Sequence, residues 1–334
     1  MRDLRTILLY QESINAIRKY FEKQDYLEYT VQILQSALPL EPNIYPFQTL
    51  WKLPAKSQKF YLSTSPEAEL KKFLSLGVKN CFAISKSFRN LEGKSPLHTP
   101  EFLMLEWYRI NTTTEDIKKE IKEFIVFLKN YLYSYKKLSP KPTIRFKNQL
   151  LDLENLWPDI SLRHLFKIRT KSDLAQLLDD KNMFFYAKKK GYNIAPSTTW
   201  DQLFHQILLN EIEPHLPIYP FFLIDYPARI SPLCSVQKTN PDFADRFELF
   251  IGRIEIANGN KEETQISKIE KSFDKEKLHR RETRSILPPL DYGFLSSLAK
   301  LKGRSVCGVG LGVERLFMLL QNIKDISILS LSTP

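Results

Sequence analysis

Two arginines sit in apolar company at distant points of the chain. Arg89 belongs to Phe88-Arg89-Asn90, which precedes Glu92 and the run His98-Thr99-Pro100-Glu101-Phe102. Arg315 ends Gly308-Val309-Gly310-Leu311-Gly312-Val313-Glu314-Arg315, more than two hundred residues later. A guanidinium is a planar fork of donors matched to phosphate oxygens, so two fixed arginines can grip a triphosphate without a nest of backbone amides. An arginine fixed at the α-phosphate would also stabilise the charge that builds there when ATP activates a carboxylate. Taken alone, Arg89 equally fits a hairpin-loop residue in a surface ion pair. Gly308, Gly310 and Gly312 are too sparse for a dinucleotide fingerprint and read better as places where a ligand or backbone approaches closely.

Carboxylates form the second set. Glu248 and Glu255 lie in Arg246-Phe247-Glu248-Leu249-Phe250-Ile251-Gly252-Arg253-Ile254-Glu255. Their odd separation puts them on opposite faces of one regular strand, unless a turn or bulge at Gly252 makes them converge. Paired carboxylates beside a triphosphate suit magnesium, a hard ion that takes oxygen ligands, whereas without that context a solvated strand edge explains them. Glu106 is embedded in Met104-Leu105-Glu106-Trp107-Tyr108, where burying a charge is costly unless it is paired. Alternation puts Met104, Glu106 and Tyr108 on one face; with Glu262 they would suit an ammonium group, while Arg109 offers a plainer partner for Glu106. Asn258-Gly259 has the composition of a hairpin turn.

The elements that must position these groups are set by periodicity and punctuation. Leu4 to about Tyr26 predicts an amphipathic helix, and Tyr26–Ile33 an extended segment before a proline-bearing loop. Ser63-Thr64-Ser65-Pro66-Glu67 predicts a helix start, with a stop at Gly77. Cys81–Ser85 and Glu101–Trp107 predict a long antiparallel hairpin, and Thr114 to about Tyr135 a helix with a lysine-rich outer face. Residues 139–217 show a weaker pattern: scattered helices, Pro196, and an amphipathic helix from Trp200 to Glu213. Strands are predicted near Phe221–Asp225 and Arg246–Ile256, an exposed helix over Lys261–Arg284, and a helix over Leu295–Leu301.

Bulk properties bound the reading. The chain has 334 residues, formal charge +11 and three widely spaced cysteines. It has no apolar run of membrane-spanning length, no apolar leader and no zinc spacing, so a cytoplasmic protein is expected. The charge suits a nucleic acid, a nucleotide or an acidic protein as partner, and equally a lysine-rich solvated surface.

Together the Arg89, His98–Tyr108, Arg246–Glu262 and Gly308–Arg315 segments resemble the catalytic core of class II aminoacyl-tRNA synthetases of the lysyl branch. Most similar is the elongation factor P–(R)-β-lysine ligase family. The resemblance is strong over Tyr61–Tyr108 and Tyr226–Arg315 and weak over about Ser139–Leu216. It implies an α+β fold, a mainly antiparallel sheet flanked by helices. It further implies one catalytic domain over 1–334, a divergent insertion at about 139–217, and no N-terminal anticodon-binding barrel.

By matching positions, Arg89 would bind the α-phosphate, His98 and Phe102 the rest of ATP with Phe102 stacking on adenine, and Arg315 the γ-phosphate end. Glu92 would stand near ATP, and Glu248 and Glu255 would hold magnesium. Glu67 would face the amino acid's α-amino end, Asn258 its carboxylate, and Glu106, Tyr108 and Glu262 its ε-ammonium, with Gly310 shaping the pocket. The implied activity is activation of lysine or (R)-β-lysine by ATP and transfer to a lysine of elongation factor P. Open beside it are a lysyl-tRNA synthetase-like enzyme serving tRNA or a small molecule, and a non-catalytic binder of lysine, ATP or RNA. A homodimer with no membrane association is expected.

Overall fold

The computed structural model describes residues 3–91, 93, 95–195 and 198–331; the expectations for Glu92 and Pro196 fall outside them. In chain order come α1 (Leu4–Lys23), β1 (Leu27–Glu28), β2 (Leu34–Gln35), β3 (Gln48–Lys52) and β4 (Ser57–Leu62). Next are α2 (Glu67–Ser75), β5 (Asn80–Phe88), β6 (Glu101–Ile110) and α3 (Thr114–Tyr135). The segment predicted only weakly holds β7 (Thr143–Phe146), β8 (Gln149–Asp152), β9 (Asp159–Ser161), α4 (Leu162–Thr170), α5 (Leu174–Leu177), α6 (Asp180–Lys189) and α7 (Trp200–Ile207). The chain continues with β10 (Phe221–Ile224), β11 (Arg246–Ile251), β12 (Ile254–Lys261), α8 (Ile266–Glu282), α9 (Tyr292–Lys300), β13 (Val306–Gly312) and α10 (Val313–Gln321).

An eight-stranded sheet carries the site, in the order β1-β5-β6-β13-β12-β11-β10-β9. It is antiparallel except at its edges, where β1 runs parallel to β5 and β9 parallel to β10. Period-two alternation divides β6 between the two faces: Leu105 and Trp107 enter a core with α1, α3 and α10, while Met104, Glu106 and Tyr108 face a cavity. Phe21 of α1 stacks on Phe82 at 4.9 Å and meets Trp107 edge-on at 5.0 Å. Across the sheet, Leu70 and Leu74 of α2 pack with Phe273 of α8 and Phe294 of α9. This is the α+β architecture that the resemblance implies.

Local chemistry sets the element ends. Thr113 and Thr199 each form a capping box, with Asp116 and Gln202, at the starts of α3 and α7. The serine before Pro66 does the capping for α2, as Ser65 Oγ accepts from the Glu67 amide at 3.3 Å. Gly77 ends that region with φ of 105°.

Four expectations are corrected. The strand predicted over Arg246–Ile256 is a hairpin, β11 and β12, turned at Gly252 and Arg253, whose φ values are 62° and 63°; two successive positive φ angles match the twist of a tight hairpin. Asn258-Gly259 is not a turn but the middle of β12, paired with Glu248 and Phe247. The helix predicted from Trp200 to Glu213 leaves α geometry after Ile207 for a π turn over Leu208–Ile212. Helix α8 is only partly exposed: Ile269, Phe273, Glu276 and Arg280 are buried. The three cysteines are free, and among the described residues no helix is long and apolar enough to cross a membrane.

Candidate active site

The β5–β6 hairpin and the β13–α10 junction bring the two arginines to one cavity of about 480 Å³, within the range of small-molecule sites. Arg89 comes directly after β5. Its amide donates to Pro100 O at 3.0 Å, its Nε to Thr64 O at 3.4 Å, and its guanidinium lies 5.3 Å from the Phe102 ring centre. Arg315 reaches back across the cavity: Nε donates to Leu97 O at 3.2 Å, Nη1 to Glu255 O at 3.1 Å, and Nη2 to His98 Nε2 at 2.8 Å. An arginine only donates, so His98 accepts on Nε2 and directs Nδ1 to Ser95 Oγ, 2.7 Å away. Next to Arg315, Glu314 accepts from the Leu103 amide with both oxygens, at 2.8 and 2.9 Å. That clamp fixes α10 against β6.

The turn at Gly252 puts Glu248 and Glu255 on neighbouring strands, and a register shift between Leu249 and Phe250 sets Phe250 opposite Glu255. Glu248 accepts from the Tyr226 hydroxyl and from Arg246 Nη2, the latter at 2.7 Å. Burial, then the Glu255 charge, pushes the Glu248 carboxyl up to about 7 against the pull of Arg246 and Tyr226. Arg246 Nε also donates to Asn258 Oδ1 at 3.2 Å, which orients that amide.

The floor of the cavity is acidic. The Tyr108 hydroxyl donates to Glu106, which is 4% exposed; burial, then the Glu67 charge, pushes Glu106 well above the usual carboxylate range. Behind this floor Lys71, 1% exposed, donates to both Glu67 and Glu262 and lies over the Tyr108 ring at 5.4 Å. Burial alone would lower its ammonium, but Glu262 and Glu67 outweigh burial and hold it above its ordinary value.

Arg89, His98, Phe102, Glu67, Glu106, Tyr108, Glu248, Glu255, Asn258, Gly310 and Arg315 all line this one cavity. Glu262 does not: it is 4% exposed behind the wall, tied to Lys71. Glu106 pairs with Tyr108, not with Arg109, which alternation sends to the opposite face. Lys71 escaped the sequence reading although its spacing from Glu67 is the i,i+4 of a helical ion pair. Also missed were Glu41, and Phe204, His205, Leu208 and Glu213 from α7 and the turns after it; no local pattern marks them. Of the sparse glycines, Gly308 allows a close approach within the protein: a Cβ there would lie 2.1 Å from the Tyr108 ring.

The family described as tRNA synthetases class II (D, K and N) matches residues 2–331. The chain belongs to that family. Its chemistry is therefore that of an ATP-dependent ligase. It is 30% identical, over 92% of each chain, to an elongation factor P–(R)-β-lysine ligase homolog of Aquifex aeolicus. It is 30% identical to the elongation factor P–(R)-β-lysine ligase of Buchnera aphidicola, covering 94% of this chain and 90% of that one. It is also 28% identical to the lysine–tRNA ligase of Carboxydothermus hydrogenoformans, over 98% of this chain but 66% of that protein.

The packing of this floor has measurable consequences for stability. Gly308→Ala drives its methyl into Tyr108 and costs about 1–3 kcal/mol of stability, whereas Gly310→Ala meets Met104 Sδ only at 3.6 Å and stays near wild type. Urea unfolding of both variants checks the order; equal stabilities would overturn the packing. Lys71→Met, which leaves Glu67 and Glu262 unpaired, costs about 3–5 kcal/mol. Adding Glu262→Gln recovers part of that loss, and a double-mutant cycle without coupling would refute the buried pairing.

Proposed function

We propose that the protein activates lysine or (R)-β-lysine with ATP and transfers it to a lysine side chain of elongation factor P. The observation that carries this reading is that the acid floor of Glu106 and Tyr108 shares one cavity with Arg89 and Arg315. One end suits an alkylammonium and the other a triphosphate, with a carboxylate between them. The names of the Aquifex and Buchnera relatives, which this chain spans over 92% and 90% of their lengths, support the acceptor. Residues 139–217 are read as an insertion in the catalytic core, with Phe204, His205, Leu208 and Glu213 facing the cavity.

In the first half-reaction a carboxylate oxygen of the amino acid attacks the α-phosphorus of ATP and pyrophosphate leaves. Arg89 holds the α-phosphate and Arg315 the γ end, each held in place by backbone carbonyls, so little reorganisation accompanies the charge that develops. Phe102 stacks the adenine, His98 steadies Arg315, and Asn258 meets the substrate carboxylate. In the second half-reaction the acceptor's ε-amine attacks the carbonyl carbon, AMP leaves, one proton is released and an amide forms. Catalysis rests on positioning, with no covalent enzyme intermediate.

Glu248 and Glu255 fit a hard divalent cation: they are carboxylates on adjacent strands, close enough for one to raise the proton affinity of the other. They would hold magnesium, which neutralises phosphate charge.

Intact mass of elongation factor P from the same organism checks the acceptor. The reaction contains the protein, magnesium-ATP, isotopically labelled α-lysine and unlabelled (R)-β-lysine. A mass gain is expected, and the presence or absence of label names the isomer. No gain, with charging of tRNA in its place, would overturn the acceptor. In the same preparation Arg315→Ala lowers lysine-dependent pyrophosphate exchange by about 100-fold or more and leaves circular dichroism unchanged; normal exchange would sink the phosphate assignment.

Lysine binding is also pH-dependent. Burial, then the Glu67 charge, holds the cavity-lining Glu106 carboxyl well above its usual range. A carboxyl so raised keeps its proton to higher pH than usual, and an incoming ammonium favours its charged form. Lysine therefore binds more tightly as pH rises toward that raised range, with a proton released from Glu106 on binding. Calorimetry in buffers of different ionisation enthalpy measures the release, and proton uptake would contradict the pocket.

A further inference from the structure

Glu41 faces the cavity beside Ser65, Glu67 and Arg89, on a loop that the fold holds rigidly. Leu38 bridges Leu290 at one end of this loop, and Tyr45 bridges Asn90 at the other. Arg280 pins its middle. That guanidinium is 1% exposed and donates through Nη2 to Glu41 O at 2.6 Å and Ile44 O at 2.9 Å. It donates through Nε to Glu276 at 2.6 Å and lies 5.0 Å from the Tyr45 ring centre. Arg280 thus spends its donors on the loop backbone, on Ile286 O and on Glu276, not on the Glu41 carboxylate. Among the described residues no hydrogen bond or ion pair reaches that carboxylate, although it sits at the Arg89 end of an already acidic pocket.

Glu41, Glu67, Glu106 and Glu262 gather around this end of the cleft, with Lys71 held between Glu67 and Glu262, Arg89 near Glu41, and Arg280 already paired with Glu276. Carboxylates that outnumber the cations free to pair with them in a low-dielectric site favour a ligand that brings positive charge of its own. A lysine-type substrate carries two ammonium groups, one remote and one beside its carboxylate. Glu106 and Tyr108 suit the remote one. Lys71 already shares the Glu67 carboxylate, so Glu67 alone leaves the second ammonium only half neutralised.

We propose that Glu41 is a specificity residue, receiving together with Glu67 the amino group nearest the substrate carboxylate and so selecting which amino position the enzyme accepts. This rests on the lysine-type substrate proposed above. The rigid loop is what makes selection possible, since an α- and a β-amino group differ in position by about one carbon–carbon bond, and a mobile carboxylate would track either. Burial, then the Glu67 charge, pushes the Glu41 carboxyl up to about 7 against the pull of Arg89, Lys71 and Arg280, none of which donates a hydrogen bond to it.

Calorimetric titration and pyrophosphate exchange with L-lysine, (R)-β-lysine and 6-aminohexanoate test the assignment. The last compound keeps the remote ammonium and lacks the second amino group. Glu41→Gln is expected to weaken the preferred lysine isomer at least tenfold while changing 6-aminohexanoate, used at inhibitory concentration, by less than twofold. Glu41→Asp, which withdraws the carboxylate by one methylene, is expected to shift the ratio of kcat/KM between the two isomers at least threefold. Equal losses for all three compounds, or an unchanged isomer ratio in Glu41→Asp, would overturn the role of Glu41. If the wild-type protein bound neither isomer, the lysine-type substrate itself would fall, and this assignment with it.

Discussion

Too many carboxylates share one cleft of low dielectric, and the fold is arranged around keeping them charged where charge is needed. Glu41, Glu67, Glu106, Glu213, Glu248 and Glu255 all line the cavity. Left unpaired, groups like these take up protons rather than stay ionised. The structure answers with fixed cations: the buried Lys71 between Glu67 and Glu262, and the half-buried Arg246 on Glu248 and Arg315 on Glu255. Each cation neutralises only part of the acid around it. What remains is an acidic end beside a basic one, the division on which the proposed lysine and phosphate sites rest.

The antiparallel sheet makes this separation of charge possible. Strands β6, β12 and β13 lie side by side, so residues far apart in sequence become neighbours: Gly310 pairs with Glu106 on one side and Asn258 on the other. Because side chains alternate, the polar face of β6 costs its core nothing; Leu105 and Trp107 are fully buried on the opposite face. The glycines of β13 keep the floor low between two strands that carry large groups. Arg315 then ties this floor to the hairpin loop, reaching Leu97, His98 and Glu255 at once. A single guanidinium therefore fixes the spacing between three distant parts of the chain.

Legibility of the site tracked the range of the interaction. The alternation of Met104, Glu106 and Tyr108 is local, and it marked the cavity face of β6 correctly. The two arginines were visible because each interrupts an apolar run. Asn258-Gly259 misled for an instructive reason: the same dipeptide serves a turn or a strand, and the pressure of the Phe247 ring, 2.4 Å from where a Gly259 Cβ would be, is a cross-strand fact. The Gly252 turn was legible only as one option, since the register shift that brings Glu255 to Phe250 belongs to the pair of strands. Glu41 and Lys71 were silent because their partners, Arg280 and Glu262, are set by tertiary packing. The place of Glu262 was misread for the same reason: a pocket wall is not a sequence property.

The segment 139–217 shows why weak local pattern need not mean a peripheral part. Its strand β9 completes the edge of the main sheet beside β10. Its helices pack Phe166, Trp200 and Phe204 into a core with Phe221, Leu223 and Phe250 of the sheet. Phe204 stacks between Trp200 and Phe166, at 5.2 and 5.7 Å, so the α7 face toward the cavity is anchored by aromatic packing. The π turn after Ile207 then places Leu208 and Glu213 on the wall, and Arg253 Nε holds the exit by donating to Leu216 O at 2.7 Å. Such turns insert a residue into helical spacing and re-aim the side chains beyond them. A continuous helix to Glu213 would have a different phase and would turn that carboxylate away from Glu255, whose charge, after burial, raises it. The break in the helix, not its amphipathic pattern, is what makes this segment part of the site.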